Sequence, residues 1–187
     1  MSKLTTIETA NFDNTRVNSS HLASLTNLSK LRSLSLAGTS LHQAEFRAIG
    51  KLKQLKSVSL YGAKYDWQHL ALLGNDRLQE LSLSNTELTD EAIPCVVQIE
   101  SLKTLDLSAT DVSDSAISHL SKLEQLDELD LCQTNVTDAC IVDLINIRNL
   151  KNLDLCNTGI TDRGLKQLRD AKKNLNIEAG FALISWR

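Results

Sequence analysis

Asp130 and Cys132 recur as Asp154 and Cys156, so two carboxylates and two thiols stand in matched pairs 24 residues apart. Residues two apart on a strand share a face. If the two stretches are neighbouring strands, the four side chains could converge on a metal ion. Thiolate metal sites normally add further Cys or His at tetrahedral spacing, and neither follows here. The plainer reading of Cys95, Cys132, Cys140 and Cys156 is reduced thiols, since no CxxC pair occurs among them. The carboxylates extend further, with Asp106, Asp130, Asp154 and Glu178 at one 24-residue spacing and Glu80 and Glu128 two positions ahead of Ser82 and Asp130. Calcium takes six or more oxygens from a curved loop, which such a row does not offer. His21, His42, His69 and His119 are scattered, none placed beside a Ser or Cys nucleophile as nucleophilic catalysis requires. HExxH, GxGxxG, GxxxxGK[ST] and GxSxG are absent. The expectation is a non-enzymatic chain with no catalytic residue, metal ligand or cofactor, whose distinctive chemistry is a stripe of negative charge.

The elements that position this stripe come from a repeat. Leu102-Lys-Thr-Leu105-Asp-Leu107-Ser-Ala-Thr110 returns as Leu126-Asp-Glu-Leu129-Asp-Leu131-Cys-Gln-Thr134 and as Leu150-Lys-Asn-Leu153-Asp-Leu155-Cys-Asn-Thr158. Going backwards, units start at Leu78, Leu55, Leu31 and Ile7, the step from 55 to 78 being one residue short. Seven units, a terminal strand near 174–179 and a C-terminal cap, together 174–187, make one domain over residues 1–187. Each unit opens with L-x-x-L-x-L, whose alternation suits a short strand. A turn around a threonine follows (Thr15, Thr39, Thr86, Thr110, Thr134, Thr158, with Ala63 the exception). Then comes a helical segment, opened at Asn18, His42, Asp66, Thr89, Ser113, Thr137 and Thr161, six of them good N-caps. Asp90, Asp114, Asp138 and Asp162 follow four of these caps, where a negative charge suits the helix dipole. A lone unit cannot bury its apolar face, so the units must stack in parallel around one core.

The motif L-x-x-L-x-L-x-x-T-x-(V/I)-T-D-x-x-L-x-x-L-x-x-L resembles the leucine-rich repeats abundant in certain bacterial proteins. It is also similar to the cysteine-containing repeats of some F-box ubiquitin-ligase subunits. The resemblance covers about residues 7 to 179. It implies an α/β leucine-rich-repeat solenoid, a horseshoe with a parallel β-sheet on the concave face and short helices on the convex face. For function it implies protein binding, with a substrate-recognition or host-targeting subunit (a bacterial effector or ubiquitin-ligase adaptor) as the alternative.

In such a stack the sheet face is the default binding surface. Its middle column runs Asn11, Ser35, Ser59, Ser82, Asp106, Asp130, Asp154 and Glu178, and the column after it Asp13, Ala37, Tyr61, Ser84, Ser108, Cys132 and Cys156. Tyr61, Glu80, Asp106, Glu128, Asp130, Asp154 and Glu178 are therefore the expected partner-binding residues, facing a protein or basic peptide. A solvated acidic face is the other reading. Lys64 and Trp67 mark a rim hot spot in the short unit that lacks the threonine; alternatively Tyr65 fills the apolar position there and Trp67 packs on a neighbouring helix. Phe181–Trp186 caps the last core layer or touches a partner. With 20 Lys+Arg against 23 Asp+Glu, nothing draws the chain to nucleic acid or an anionic membrane. No signal peptide or membrane span is visible, which predicts a cytoplasmic protein, with secretion as an effector left open; the sequence does not set the oligomeric state, and a monomer is the expectation.

Overall fold

The computed structural model describes residues 6–74 and 76–180; Phe181–Trp186, expected as a cap, lie outside the described residues. Each L-x-x-L-x-L stretch contributes three residues of strand: β1 (Thr9–Asn11), β2 (Ser33–Ser35), β3 (Ser57–Ser59), β4 (Glu80–Ser82), β5 (Thr104–Asp106), β6 (Glu128–Asp130), β7 (Asn152–Asp154) and β8 (Asn176–Glu178). They form one sheet in chain order, every pair parallel. Paired residues are 24 apart except between β3 and β4, where Ser57 faces Glu80. The middle side chains Leu34, Val58, Leu81, Leu105, Leu129 and Leu153 point inward, none more than 2% exposed, and share one core. Their neighbours on either side therefore point outward, as period-two alternation demands.

The opposite layer is helical: α1 (Ser19–Ser24), α2 (Gln43–Gly50), α3 (Ile93–Val96), α4 (Asp114–Leu120), α5 (Ile141–Asn146) and α6 (Asp162–Ala171). Turns of 3-10 helix add Leu25–Asn27, Trp67–Leu73, Asp90–Ala92 and Asp138–Cys140. Neighbouring strands stand about 4.8 Å apart, whereas helices need about 10 Å. The stack must bend with its sheet inside, which makes the outward-pointing strand residues a concave face. In the short repeat the missing residue lies in the helical layer: 14 steps separate the cap at 66 from the strand start at 80, against 15 from 42 to 57. There Trp67–Leu73 is wound as 3-10 helix, whose rise of about 2.0 Å per residue spans the repeat with fewer residues than an α-helix. Successive segments of the helical layer touch closely at this point, since a Cβ on Gly50 would stand 2.0 Å from the Leu72 carbonyl oxygen.

Two polar ladders fix the turns. Each ladder threonine donates its hydroxyl to the carbonyl three residues back, from Thr15 to Phe12 through Thr110 to Leu107 at 2.6 Å and Thr158 to Leu155 at 2.8 Å. The residue just before each ladder position has a left-handed φ of 52 to 64°: Asn14, Gly38, Gly62, Asn85, Ala109, Gln133 and Asn157. The second ladder corrects the helix-start expectation. Asn18, Asp66, Thr137 and Thr161 do accept backbone N–H groups of their own helices, but Thr89 and Ser113 make no such bond. Three of the four aspartates after the caps reach forward to the next repeat. Asp90 accepts Ser113 N (2.7 Å) and Oγ (2.5 Å), and Asp114 accepts Thr137 N and Oγ1 (both 2.7 Å). Asp138 accepts Thr161 N (2.8 Å) and Oγ1 (2.6 Å) in the same way. The Thr161 hydroxyl and N–H hold the Asp138 carboxyl below its usual range. These aspartates are staples between repeats more than partners of the dipole.

Candidate functional site

On the concave face the strand register aligns Asn11, Ser35, Ser59, Ser82, Asp106, Asp130, Asp154 and Glu178 in one column. Several of these residues accept the backbone N–H two residues on, closing the turn out of the strand. Asn11 accepts Asp13 N (2.8 Å), Ser59 accepts Tyr61 N (3.5 Å) and Asp106 accepts Ser108 N (3.0 Å). Asp130 accepts Cys132 N (2.8 Å) and Asp154 accepts Cys156 N (2.7 Å). Asp106 is further held by the hydroxyls of Ser82 (2.8 Å) and Ser108 (2.6 Å).

From β5 to β8 the face forms a trough of about 370 Å³ that gathers Asp106, Glu128, Asp130, Asp154 and Glu178. Thr104, Asn152 and Asn176, which the sequence reading passed over, line it too. Glu128 accepts Thr104 Oγ1 (3.2 Å) and Asn152 Nδ2 (3.3 Å), and Asn176 Nδ2 donates to Asn152 Oδ1 (3.3 Å). Their shared 24-residue step was the available signal. Among the described residues no lysine, arginine or histidine lines this trough. The ion pairs among the described residues, Lys151–Asp127, Lys166–Asp170 and Lys173–Asp170, involve none of its carboxylates. Burial, and after it the charges of Asp106, Asp154 and Glu178, push the Asp130 carboxyl up to about 6. Burial and the adjoining carboxylates raise the Cys132 thiol as well, and burial with a hydrogen bond to Asp154 pushes Cys156 to about 11.

The remaining candidates lie apart. Glu80 is exposed on β4, outside the trough. Tyr61 follows β3 and is 51% exposed. Lys64 and Trp67 line a separate cleft of about 230 Å³ between the third and fourth turns, with Ala63, Tyr65, Thr86 and Glu87. Lys64 is exposed there, while Trp67 is half-buried against the core. Tyr65 packs edge-on to Phe46 at 5.7 Å and donates its hydroxyl to Thr86 Oγ1 (3.4 Å). His119 Nδ1 approaches the adjacent Ser118 Oγ (3.3 Å), but it is also 3.2 Å from the Ser115 carbonyl. A nitrogen donating to that carbonyl cannot take the serine proton, so the contact is not a nucleophile–base pair. Among the described residues no group of three or more His, Cys, Asp or Glu is arranged to hold a metal ion, and no helix is long and apolar enough to cross a membrane.

Comparison with known proteins agrees with this architecture. No curated protein matches the chain by sequence. Among solved structures, an internalin of Listeria monocytogenes superposes with a TM-score of 0.64 at 20% identity, over 98% of this chain and 58% of that one. Internalin C2 of the same species gives 0.63 at 21% identity, over 92% and 80%. A leucine-rich-repeat protein of Leptospira interrogans gives 0.55 at 22% identity, over 83% and 39%. The chain thus spans 58% of the first internalin's length. At these identities the likeness establishes the fold, a leucine-rich-repeat solenoid. Residues 46–144, more than half of the chain, match the Zer-1-like leucine-rich-repeat family. The chain belongs to the Zer-1-like leucine-rich-repeat family.

Proposed function

We propose that this chain is a protein–protein interaction scaffold, without catalysis of its own, that binds a basic peptide or basic protein surface in the β5–β8 trough. The observation that carries this reading is charge in excess of structural need. Asn11 and Ser59 close the same turn as Asp106, Asp130 and Asp154 with neutral oxygens. Charge is therefore not what the turn requires. Two unit charges one strand apart repel by roughly 3–4 kcal/mol at a protein-surface dielectric and about 1 kcal/mol in bulk water. A partner's lysines or arginines would relieve that repulsion. Tyr61 and Glu80 extend the surface towards β3, and Lys64 with Trp67 forms a secondary contact at the rim. The chain acts as a monomer in the cytoplasm in this reading. Membership of the Zer-1-like family favours a second form of it, in which the same face selects a substrate protein for a larger assembly.

The test is fluorescence anisotropy with a labelled oligolysine peptide at low salt. Asp130→Asn with Asp154→Asn, which keep an oxygen for Cys132 N and Cys156 N, should sharply weaken the parent's binding while thermal stability holds or rises. Equal affinity in the parent and the double variant would remove the trough from the function.

A further inference from the structure

We propose that Cys132 and Cys156 form a redox-responsive dithiol that closes to an intramolecular disulfide between the β6 and β7 turns when it meets a low-molecular-weight disulfide. This inference rests on the register that sets the thiols abreast and on the carboxylates around them, and stands whether or not a basic partner occupies the trough.

Asp130 pairs with Asp154 in the sheet, and each cysteine lies two residues further along its chain. The parallel pairing continues past the strands through Leu131 N to Asp154 O (3.0 Å) and Gln133 N to Cys156 O (2.8 Å), so the cysteines stay abreast. Each also donates its N–H to the Oδ1 of its own aspartate, at 2.8 and 2.7 Å, which gives the two turns the same local form. Adjacent strands place equivalent Cα atoms about 4.8 Å apart, inside the range of roughly 4.4–6.8 Å that a disulfide spans. Both side chains lie on the concave face, where curvature draws neighbours together, and both are half-buried and free. The other thiols have no such companion. Cys140 is buried in the core, where burial pushes it to about 12, and Cys95 lies in α3 of the helical layer.

The chemistry balances with oxidised glutathione as the oxidant. One cysteine thiolate attacks a glutathione sulfur, forming a mixed disulfide and releasing one glutathione thiolate. The second cysteine, deprotonated by solvent, attacks the protein sulfur of that mixed disulfide and releases the second glutathione. Two protein thiols are oxidised and one glutathione disulfide is reduced to two thiols. The titratable groups facing the pair are Asp106, Asp130, Asp154 and Glu178, all acidic, and with burial they hold both thiols protonated at neutral pH. Closure is therefore slow at pH 7 and faster in alkali. Neutralising Asp154 should accelerate it, by about threefold for each unit the thiol pKa falls, because lost nucleophilicity offsets part of the gain in thiolate.

The experiment incubates the full chain with oxidised glutathione at pH 8.5 and maps peptides by mass spectrometry without reduction. The expected product is a peptide pair joined through Cys132 and Cys156, with unchanged far-ultraviolet circular dichroism. Cys95→Ser should leave closure intact. Cys132→Ser should abolish it and leave Cys156 as a glutathione adduct; Cys156→Ala serves where that variant fails to fold. Asp154→Asn should raise the closure rate at pH 7.5. Oxidation that stops at two glutathione adducts on the folded chain, or that joins separate chains, overturns the proposal, as does an Asp154→Asn rate no faster than the parent's.

Discussion

Asp130→Asn isolates what the charged row does to the fold. Asparagine keeps an oxygen for Cys132 N and removes the charge, leaving the turn intact. The parent carboxyl is pushed up from 3.8 to about 6, by burial first and then by Asp106, Asp154 and Glu178. A folded-state pKa above the unfolded one means that ionising Asp130 opposes folding. The penalty is absent below about pH 3.8, grows between there and about pH 6, and is fully present above. At 1.36 kcal/mol per unit the shift is equivalent to about 3 kcal/mol for a shielded group, and solvent screening at this half-buried site cuts that to about 1.5 kcal/mol. The Cys132 hydrogen bond is already inside that net figure. Asp130→Asn should therefore melt about 3–6 °C above the parent at pH 7.5 and together with it at pH 4. Thermal unfolding followed by circular dichroism at both pH values, in about 50 mM salt, makes the comparison; the contributions of Asp90 and Asp138 cancel because both proteins carry them. In about 1 M salt the repulsive part should shrink while the burial part persists. A variant no more stable than the parent at pH 7.5, with the same slope between pH 4 and 7, would refute the reasoning.

Two further substitutions test the turn and the close approach of successive helical segments. Ala109 holds a φ of 52°, which costs a non-glycine residue about 1–2 kcal/mol, so Ala109→Gly should stabilise the chain by roughly 0.5–1 kcal/mol in urea unfolding after the unfolded-state entropy of glycine is counted; destabilisation would show the strain to be absent. Gly50→Ala places a Cβ 2.0 Å from the Leu72 carbonyl and should cost about 2–3 kcal/mol, seen as a fall of roughly 5–10 °C in Tm, whereas an unchanged Tm would mean that the two segments separate freely.

The repeat made most of this architecture readable in advance. Leu105, Leu129 and Leu153 share one core because their spacing demanded it, and the concave columns followed from alternation. The threonines could be assigned to backbone carbonyls because a hydroxyl at a turn has few other partners. What escaped notice depends on contacts between repeats. Nothing inside a single unit shows that Asp114 holds Thr137 of the next, and a cap position reads the same whether its aspartate serves the dipole or a neighbour. The left-handed residue before the ladder could have been found, since Asn or Gly stands there in five of seven repeats. Ala109 and Gln133 obscured it. Trp67 illustrates a different limit: one missing residue was visible, but not that a 3-10 segment would absorb it in the helical layer and leave the indole half-buried.

A structural role and a binding role for the aspartates are often treated as rivals, and the column shows that they need not be. The turn uses one oxygen, offered by neutral Asn11 as closely as by Asp106 and by Ser59 at longer reach, so the hydrogen bond explains an oxygen-bearing residue and says nothing about charge. Asp130 meets its turn requirement with a single bond, to Cys132 N, and its ionisation is resisted by burial and by the carboxylates on either side. Asparagine would satisfy the same turn without that resistance. The same carboxylates hold two abreast thiols protonated. A basic partner settling over the trough would therefore relieve the repulsion and, by the same neutralisation, lower the barrier to thiolate formation. Binding and thiol reactivity would then be linked through one set of charges.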